Sequence, residues 1–232
     1  NTHELLEGYF GVVQAGAIIL PLNVRLGLSE LAYILNHSGS RMLIYEPEFA
    51  PVVEQLRPQC RGVETYVVTG EKVPPATLEY EEVLERGHPE RADVYEVDEN
   101  SVAELFYSSG STGTPKGVML THRTLYLHAL SLYTVYQRVE DMVNLHTIPL
   151  FHANGWGHPQ ASTYFGVKQV MVRRFEPKTV FELIERHRAT DMYLVPVMAQ
   201  MLVNAPERHH YDLSSMRRIM IGGAAATPAL IE

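Results

Sequence analysis

Short apolar runs alternate with segments of helical periodicity along most of the chain. The apolar runs are four or five residues long and rich in β-branched side chains, which is typical of strands buried on both faces. The segments between them repeat apolar residues at every third or fourth position, which predicts amphipathic helices. This alternation predicts an α/β fold with mostly parallel sheets covered by helices.

The pattern predicts strands at residues 17–20, 42–45, 65–68, 103–107, 144–148, 169–172, 192–195 and 218–221. It predicts helices at residues 2–15, 29–37, 49–57, 80–86, 122–137, 177–188 and 197–204, and the start of another after Thr227. The helix from Pro177 is the clearest. Proline is favoured in a first turn, and Val180, Leu183 and Ile184 share one face.

Residues 87–100 are rich in acidic side chains and lack apolar periodicity, so we interpret them as a linker. This interpretation divides the chain into a front α/β subdomain at residues 1–100 and a second α/β subdomain at residues 101–232. The segments with candidate chemistry all lie in the second subdomain.

Composition narrows the possible functions. The chain has 232 residues, 46% of them hydrophobic, which suffices for a sizeable core. The net charge of −8 gives no basic surface for nucleic acid. A single cysteine, Cys60, excludes an internal disulfide and fits a reducing compartment. No apolar run reaches the ~18 residues of a membrane span and no signal peptide is evident, so we expect a cytoplasmic protein.

The most informative segment reads Tyr-Ser-Ser-Gly-Ser-Thr-Gly-Thr-Pro-Lys-Gly-Val, at residues 107–118. Three glycines, five hydroxyl side chains and one lysine follow an apolar strand there. Glycine lets successive backbone N–H groups turn inward to form an anion-binding nest, and lysine adds a charge suited to phosphate. The spacing differs from that of a Walker A loop. The sequence therefore predicts a polyphosphate-binding loop, which we call the phosphate loop, although such a composition also occurs in plain solvated loops.

Two further unusual segments each follow a predicted strand. Residues 149–157 read Pro-Leu-Phe-His-Ala-Asn-Gly-Trp-Gly, and residues 222–226 read Gly-Gly-Ala-Ala-Ala. Ligands of open α/β sheets bind at the carboxyl ends of the strands, so we expect the phosphate loop and these two segments to share one site. His152 could instead be a core histidine, and Trp156 could simply pack in the core.

The three segments resemble signatures of the adenylate-forming superfamily, which includes acyl-CoA synthetases, aryl-CoA ligases, luciferases and peptide-synthetase adenylation domains. The phosphate loop matches almost without departure, with Ser111 where threonine is common. The His-Ala-Asn-Gly-Trp segment is similar to the fatty acyl-CoA synthetase version. The resemblance implies part of an acetyl-CoA synthetase-like N-terminal domain.

The resemblance also implies an ATP-dependent fatty acid–CoA ligase that uses ATP, Mg²⁺ and CoA. It makes Lys116 and His152 the catalytic candidates, places His152 and Trp156 beside the acid, and gives Ser111 a contact to Mg²⁺. The residues that it assigns to ATP are Ser108, Ser109, Gly110, Ser111, Thr112, Gly113, Thr114, Lys116, Gly222, Gly223, Ala224 and Ala225.

Alternatives remain open at the level of sequence. The chain could be a non-catalytic nucleotide- or acyl-binding module, or an enzyme that adenylates an aryl acid or an amino acid. The family's Tyr-Gly-x-Thr-Glu motif and lysine-bearing C-terminal domain are not in this sequence, so we expect an incomplete fragment that is inactive alone. A homodimer is also left open.

Overall fold

The computed structural model describes residues 1–70, 72–87, 96–108, 113–136, 141–227 and 230. The chain divides into two compact units, each assembled from separate stretches of sequence. The larger unit comprises Asn1–Pro21, Asp98–Glu104 and Leu120–Glu232, and the smaller unit comprises Leu22–Val97 and Leu105–Met119. A subdomain boundary near residue 100 stays a prediction, and most of the proposed acidic linker lies outside the described residues.

In chain order, the helices are α1 (His3–Gln14), α2 (Leu28–Ser38), α3 (Ala50–Leu56), α4 (Tyr80–Glu85), α5 (His122–Tyr136), α6 (His158–Tyr164), α7 (Pro177–His187) and α8 (Pro196–Asn204). The strands are β1 (Met42–Tyr45), β2 (Thr65–Val68), β3 (Leu78–Glu79), β4 (Val102–Ser108), β5 (Lys116–Thr121), β6 (Val143–His146), β7 (Lys168–Met171), β8 (Asp191–Leu194) and β9 (Arg218–Ile221). Short 3₁₀ helices lie at Pro47–Phe49, Ala153–Gly157 and Pro206–His210.

The smaller unit is built on a parallel sheet in the order β1-β2-β3. Helices α2 and α3 cover it with apolar side chains that include Leu35 and Leu56. Cys60 is a buried free thiol within this core, and burial raises the pKa of that thiol. Strands β4 and β5 form a separate two-stranded sheet.

The larger unit is built on a four-stranded sheet in the order β7-β6-β8-β9, with every neighbouring pair parallel. Side chains alternate between the two faces of β6. Val143 and Leu145 join the apolar core that α7 and α8 complete, whereas Asn144 bonds to Ser162 of α6 on the other face. All four carboxyl ends lie at one edge, where the segments after β6 and β9 begin.

The structure confirms the predicted α/β class and the parallel sheets. The predicted strand at residues 17–20 is wrong, because only Ile19 forms a single bridge, to Glu104. Pro21 has no N–H with which to extend that pairing. The pattern missed β3, β5 and α6. Among the described residues, no helix is long and apolar enough to cross a membrane.

Candidate functional site

The phosphate loop joins β4 to β5 in the smaller unit. Ser108 ends β4 and Lys116 begins β5, so both ends of the phosphate-loop segment, the lysine included, lie on strands. Gly113 has a φ of 84°, a left-handed conformation that favours glycine. Ser108, Gly113, Thr114 and Lys116 are all exposed. The other predicted phosphate-binding residues, at positions 109–112, lie outside the described residues.

Tyr107 fixes the base of the phosphate loop. A Cβ at Gly117 would stand 3.5 Å from Cζ of Tyr107, so the phenol ring of β4 lies against the start of β5. A 2.7 Å hydrogen bond joins the Tyr107 hydroxyl to Nδ1 of His37, and that imidazole stacks on Tyr33. Burial, followed by the effect of Tyr33, raises the pKa of Tyr107. Both strands that flank the loop are therefore tied to helix α2.

His152 lies just beyond β6 in the larger unit, where it precedes the 3₁₀ helix Ala153–Gly157. Its N–H donates to the carbonyl of Pro149 at 3.0 Å, and its own carbonyl accepts from the N–H of Gly155 at 3.1 Å. The imidazole is exposed, so this side chain does not occupy the core position considered as its alternative. An exposed imidazole at the carboxyl edge of a sheet can meet a bound substrate.

The backbone that follows His152 is unusual. Ala153, Gly155, Trp156 and Gly157 all have positive φ, with 58° at Trp156. This conformation is strained for a bulky side chain and persists only where the surroundings enforce it. His128 of α5 supplies one such constraint, because its Nε2 lies 3.2 Å from the Trp156 carbonyl oxygen.

The indole of Trp156 reaches the Gly-Gly-Ala-Ala segment. A Cβ at Gly222 would stand only 2.7 Å from Cη2 of the indole, which is closer than side chains can approach. The N–H of Gly222 donates to the carbonyl of Leu194 at 3.0 Å, and this bond holds the segment at the end of β8. Gly223 follows with a φ of 81°. Two of the three predicted segments are therefore in direct contact.

Side chains at the start of the chain hold the segment between β6 and His152. The side-chain amide of Asn1 donates to the carbonyls of His146 and Ile148, and its oxygen accepts from the N–H of Leu150. The buried hydroxyl of Tyr9 donates to the Leu150 carbonyl at 2.7 Å. Burial is the main cause that raises the pKa of Tyr9. These bonds fix the backbone that leads into His152.

A buried carboxyl lies nearby in the same unit. Glu104 is 1% exposed, and its carboxylate accepts a 2.7 Å hydrogen bond from the side-chain amide of Gln160. Burial raises the pKa of Glu104 to about 7, and the bond from Gln160 opposes that rise only in part. A carboxyl whose pKa is close to neutral pH is therefore buried against helix α6.

Two buried neutral histidines lie at the end of β6 (His146) and at the start of α6 (His158). Burial lowers the pKa of His146 to about 4 and that of His158 to about 3, and for His158 the nearby His146 is the next cause. The His158 ring stacks on Tyr193 of β8, with centroids 3.4 Å apart. Thr147 donates to the carbonyl of the same tyrosine. Buried polar side chains therefore lie beside the carboxyl ends of β6 and β8.

Sequence reasoning missed His37, His128, Glu104 and Gln160. Each acts through a partner far along the chain, and no local pattern marks such a pair. The contact of Trp156 with the Gly-Gly-Ala-Ala segment fits the prediction of a shared site. Whether the phosphate loop belongs to that site stays a prediction.

The chain matches a known protein family and is similar to several CoA ligases. The sequence model described as AMP-binding enzyme matches residues 1–232. The long-chain-fatty-acid–CoA ligase of Thermus thermophilus is 38% identical over 234 residues, which cover 100% of this chain and 42% of that protein. The 4-hydroxybutyrate–CoA ligase 2 of Metallosphaera sedula is 30% identical over 240 residues, which cover 100% and 44%.

Solved structures agree with the fold. The anthranilate CoA ligase AuaEII, crystallised in complex with anthranoyl-AMP, has a TM-score of 0.90 and 27% identity over 99% of this chain and 45% of its own. The chain thus spans less than half the length of each of these three proteins. Since the family match covers every residue, the chain belongs to the AMP-binding enzyme family.

Proposed function

We propose that this chain is part of an ATP-dependent fatty acid–CoA ligase. The observation that carries the proposal is the indole of Trp156 against Gly222, because it joins the segment assigned to the acid with the segment assigned to adenine. A bound acyl-adenylate carries its acyl group and its adenine on one molecule. The closeness of the two segments supports a site that could bind both parts of such an intermediate.

The proposed reaction has two steps. The carboxylate oxygen of the acid attacks the α-phosphorus of ATP, which forms the acyl-adenylate and releases pyrophosphate. The sulfur of CoA then attacks the acyl carbon, which forms the thioester and releases AMP, and the thiol proton is lost to solvent. A protein accelerates both steps mainly by positioning and by stabilising charge.

The described residues supply part of this machinery. The exposed Lys116 can meet the β- and γ-phosphates as a point charge, and Ser108 and Thr114 can donate from their hydroxyls. In the part of the chain that the structure describes, Lys116 forms no ion pair that would compete for its charge. We assign His152, whose side chain is exposed beyond β6, to the reacting carboxyl. We assign Gly222 and its neighbours to adenine, because small residues let a flat ring approach the backbone.

The Mg²⁺ role remains a prediction. Ser111, its predicted ligand, lies outside the described residues. Within the described ranges, no group of three or more His, Cys, Asp or Glu side chains could hold a metal ion. We therefore assign Mg²⁺ no step here.

The acid is proposed to be a fatty acid, on the basis of the His-Ala-Asn-Gly-Trp segment and the Thermus relative. The Metallosphaera and AuaEII ligases are named for 4-hydroxybutyrate and anthranilate, so a short hydroxy acid or an aryl acid is the competing candidate. A cytoplasmic location and a homodimer stay predictions.

Replacing Lys116 by alanine tests the ATP half of the proposal. A lost charge-assisted phosphate contact is worth about 1.5–3 kcal/mol, which corresponds to about one to two decades in rate. We expect pyrophosphate exchange with a fatty acid to slow by that factor in the intact protein, with little change in melting temperature. Lys178→Ala is the matched control, because Lys178 is an exposed lysine on α7 that pairs only loosely with Glu182. Exchange within about twofold of the unmodified protein would refute the assignment.

A further inference from the structure

We propose that His128 is a positioning residue that holds Trp156 against Gly222 and thereby sets which acids are accepted. The role in acid choice rests on the proposed function. The positioning of the indole does not, because it follows from contacts within the larger unit.

A hydrogen bond from α5 holds the backbone at Trp156. Nε2 of His128 lies 3.2 Å from the carbonyl oxygen of Trp156. A carbonyl oxygen can only accept, so the imidazole must carry its proton on Nε2 and donate it. This bond fixes a peptide whose residue has a φ of 58°, a conformation that a tryptophan adopts only under constraint.

The imidazole of His128 also fills the space beside Gly157. A Cβ at Gly157 would stand 2.4 Å from Cδ2 of His128, so the imidazole occupies the space that any other residue would fill. Gly157 also has a φ of 72°. The ring of His128 therefore packs on the backbone of Gly157 while its Nε2 bonds to the carbonyl of Trp156 itself.

The hydrogen bond and the packing of His128 fix the backbone that carries the Trp156 indole. The indole of Trp156 lies against Gly222, so a change in its backbone would move the ring away from that segment. His128 itself is exposed, and the contacts described for it are with the backbone at Trp156 and Gly157. It acts through Trp156, which makes it a positioning residue.

Fluorescence tests the positioning directly, because Trp156 is the single tryptophan of the chain. His128→Phe keeps a ring over Gly157 but cannot donate, whereas His128→Gln places an amide donor near the position of Nε2. We expect the phenylalanine variant to shift Trp156 emission to longer wavelength and to raise its quenching by acrylamide. We expect the glutamine variant to stay near the unmodified protein. His210→Phe is the control, since His210 is another exposed histidine of the same unit.

Two results would overturn the proposal. Either the phenylalanine variant emits and quenches like the unmodified protein, or the glutamine variant is disturbed as strongly as the phenylalanine one. If phenylalanine prevents folding, His128→Ala answers the same question without added bulk, and unchanged emission in that variant would also refute the role.

Kinetics test the consequence for the acid. In the intact protein, His128→Phe should raise the KM for the acid by roughly two- to tenfold, the effect of one lost intramolecular hydrogen bond, and leave the KM for ATP unchanged. Equal changes in both KM values, or none, would refute the effect on acid choice. If the unmodified protein shows no pyrophosphate exchange with any acid, the proposed function fails, whereas the fluorescence result still decides whether His128 positions Trp156.

Discussion

Replacing Glu104 by glutamine should remove a pH-dependent penalty on folding. The pKa of this carboxyl is about 7 in the folded protein because burial disfavours the ionised form, against an ordinary value of 4.5. Between those values the folded state holds the proton more tightly than the unfolded state does. Stability is therefore highest below pH 4.5 with respect to this group, and it falls as the pH rises through 7.

The size of the penalty follows from the two pKa values. Each pKa unit corresponds to about 1.4 kcal/mol, so the rise from 4.5 to about 7 amounts to roughly 3 kcal/mol at pH 8 and almost nothing at pH 4.5. Glutamine keeps an oxygen that can accept from Gln160 but does not ionise. The variant should thus gain on the unmodified protein by roughly 2–3 kcal/mol between pH 5 and pH 8.

Because the pKa values of His146 and His158 are also shifted, the unfolding free energy of Glu104→Gln must be compared with that of the unmodified protein at each pH. The pKa values of His146 and His158 are lowered to about 4 and about 3, so their contribution to stability is present above pH 6.5 and is lost as the pH falls through those values. This trend is opposite to that of Glu104. Subtracting the unmodified protein from the variant at each pH cancels it, because both proteins keep the two histidines.

Urea unfolding followed by Trp156 emission is the assay, since Glu104 and the single tryptophan belong to the same unit. Both proteins are measured at pH 5 and pH 8, and Glu85→Gln, at an exposed glutamate of α4, serves as the control. A difference in unfolding free energy that is the same at both pH values would show that Glu104 is not buried with a raised pKa, and it would refute the reasoning.

Two further predictions concern the Trp156 contact. Gly222→Ala should push the Trp156 indole about 1 Å outward to restore ordinary contact, which a change in Trp156 emission would show. If the indole cannot move, the substitution should destabilise the folded protein by about 1–3 kcal/mol, which melting would show. Gly11→Ala is the control, because a Cβ at Gly11 meets no other atom within 4 Å. Trp156→Ala should alter the preferred acid length in the intact enzyme with the KM for ATP unchanged, whereas pure core packing predicts a loss of about 3–5 kcal/mol with an unchanged length profile.

Hydrophobic periodicity was sufficient for the sheet of the larger unit. Its inner strands β6 and β8 are buried along their whole length and its edge strands β7 and β9 only in part, yet each was predicted to within two residues, and β9 at its observed bounds. The same rule failed at residues 17–20, because an apolar run reveals nothing about whether a partner strand is available. It also missed β5, where glycine and lysine in the phosphate loop concealed the strand that begins at Lys116.

The candidate site likewise contains contacts that the sequence predicted and contacts that it did not. The contact of Trp156 with Gly222 agrees with the rule that ligand segments gather at the carboxyl ends of parallel strands. The role of His128 could not be read, because 28 residues separate it from Trp156 and only the packing of α5 brings them together. Glu104 was missed for a similar reason, since its hydrogen-bond partner Gln160 lies on a helix that the pattern did not predict.

The side chain of Asn1 forms backbone hydrogen bonds of the kind that a neighbouring strand would form. It bonds to two carbonyls and one N–H of the backbone between His146 and Leu150, and of these the His146 carbonyl also accepts from the N–H of Val172. Amide exchange at Leu150 is therefore governed by whether the first residue is docked, and not by the opening of β6. The beginning of α1 and the segment that leads to His152 should open and close as one cooperative unit, so the accessibility of that histidine depends on residues nearly 150 positions earlier in the chain.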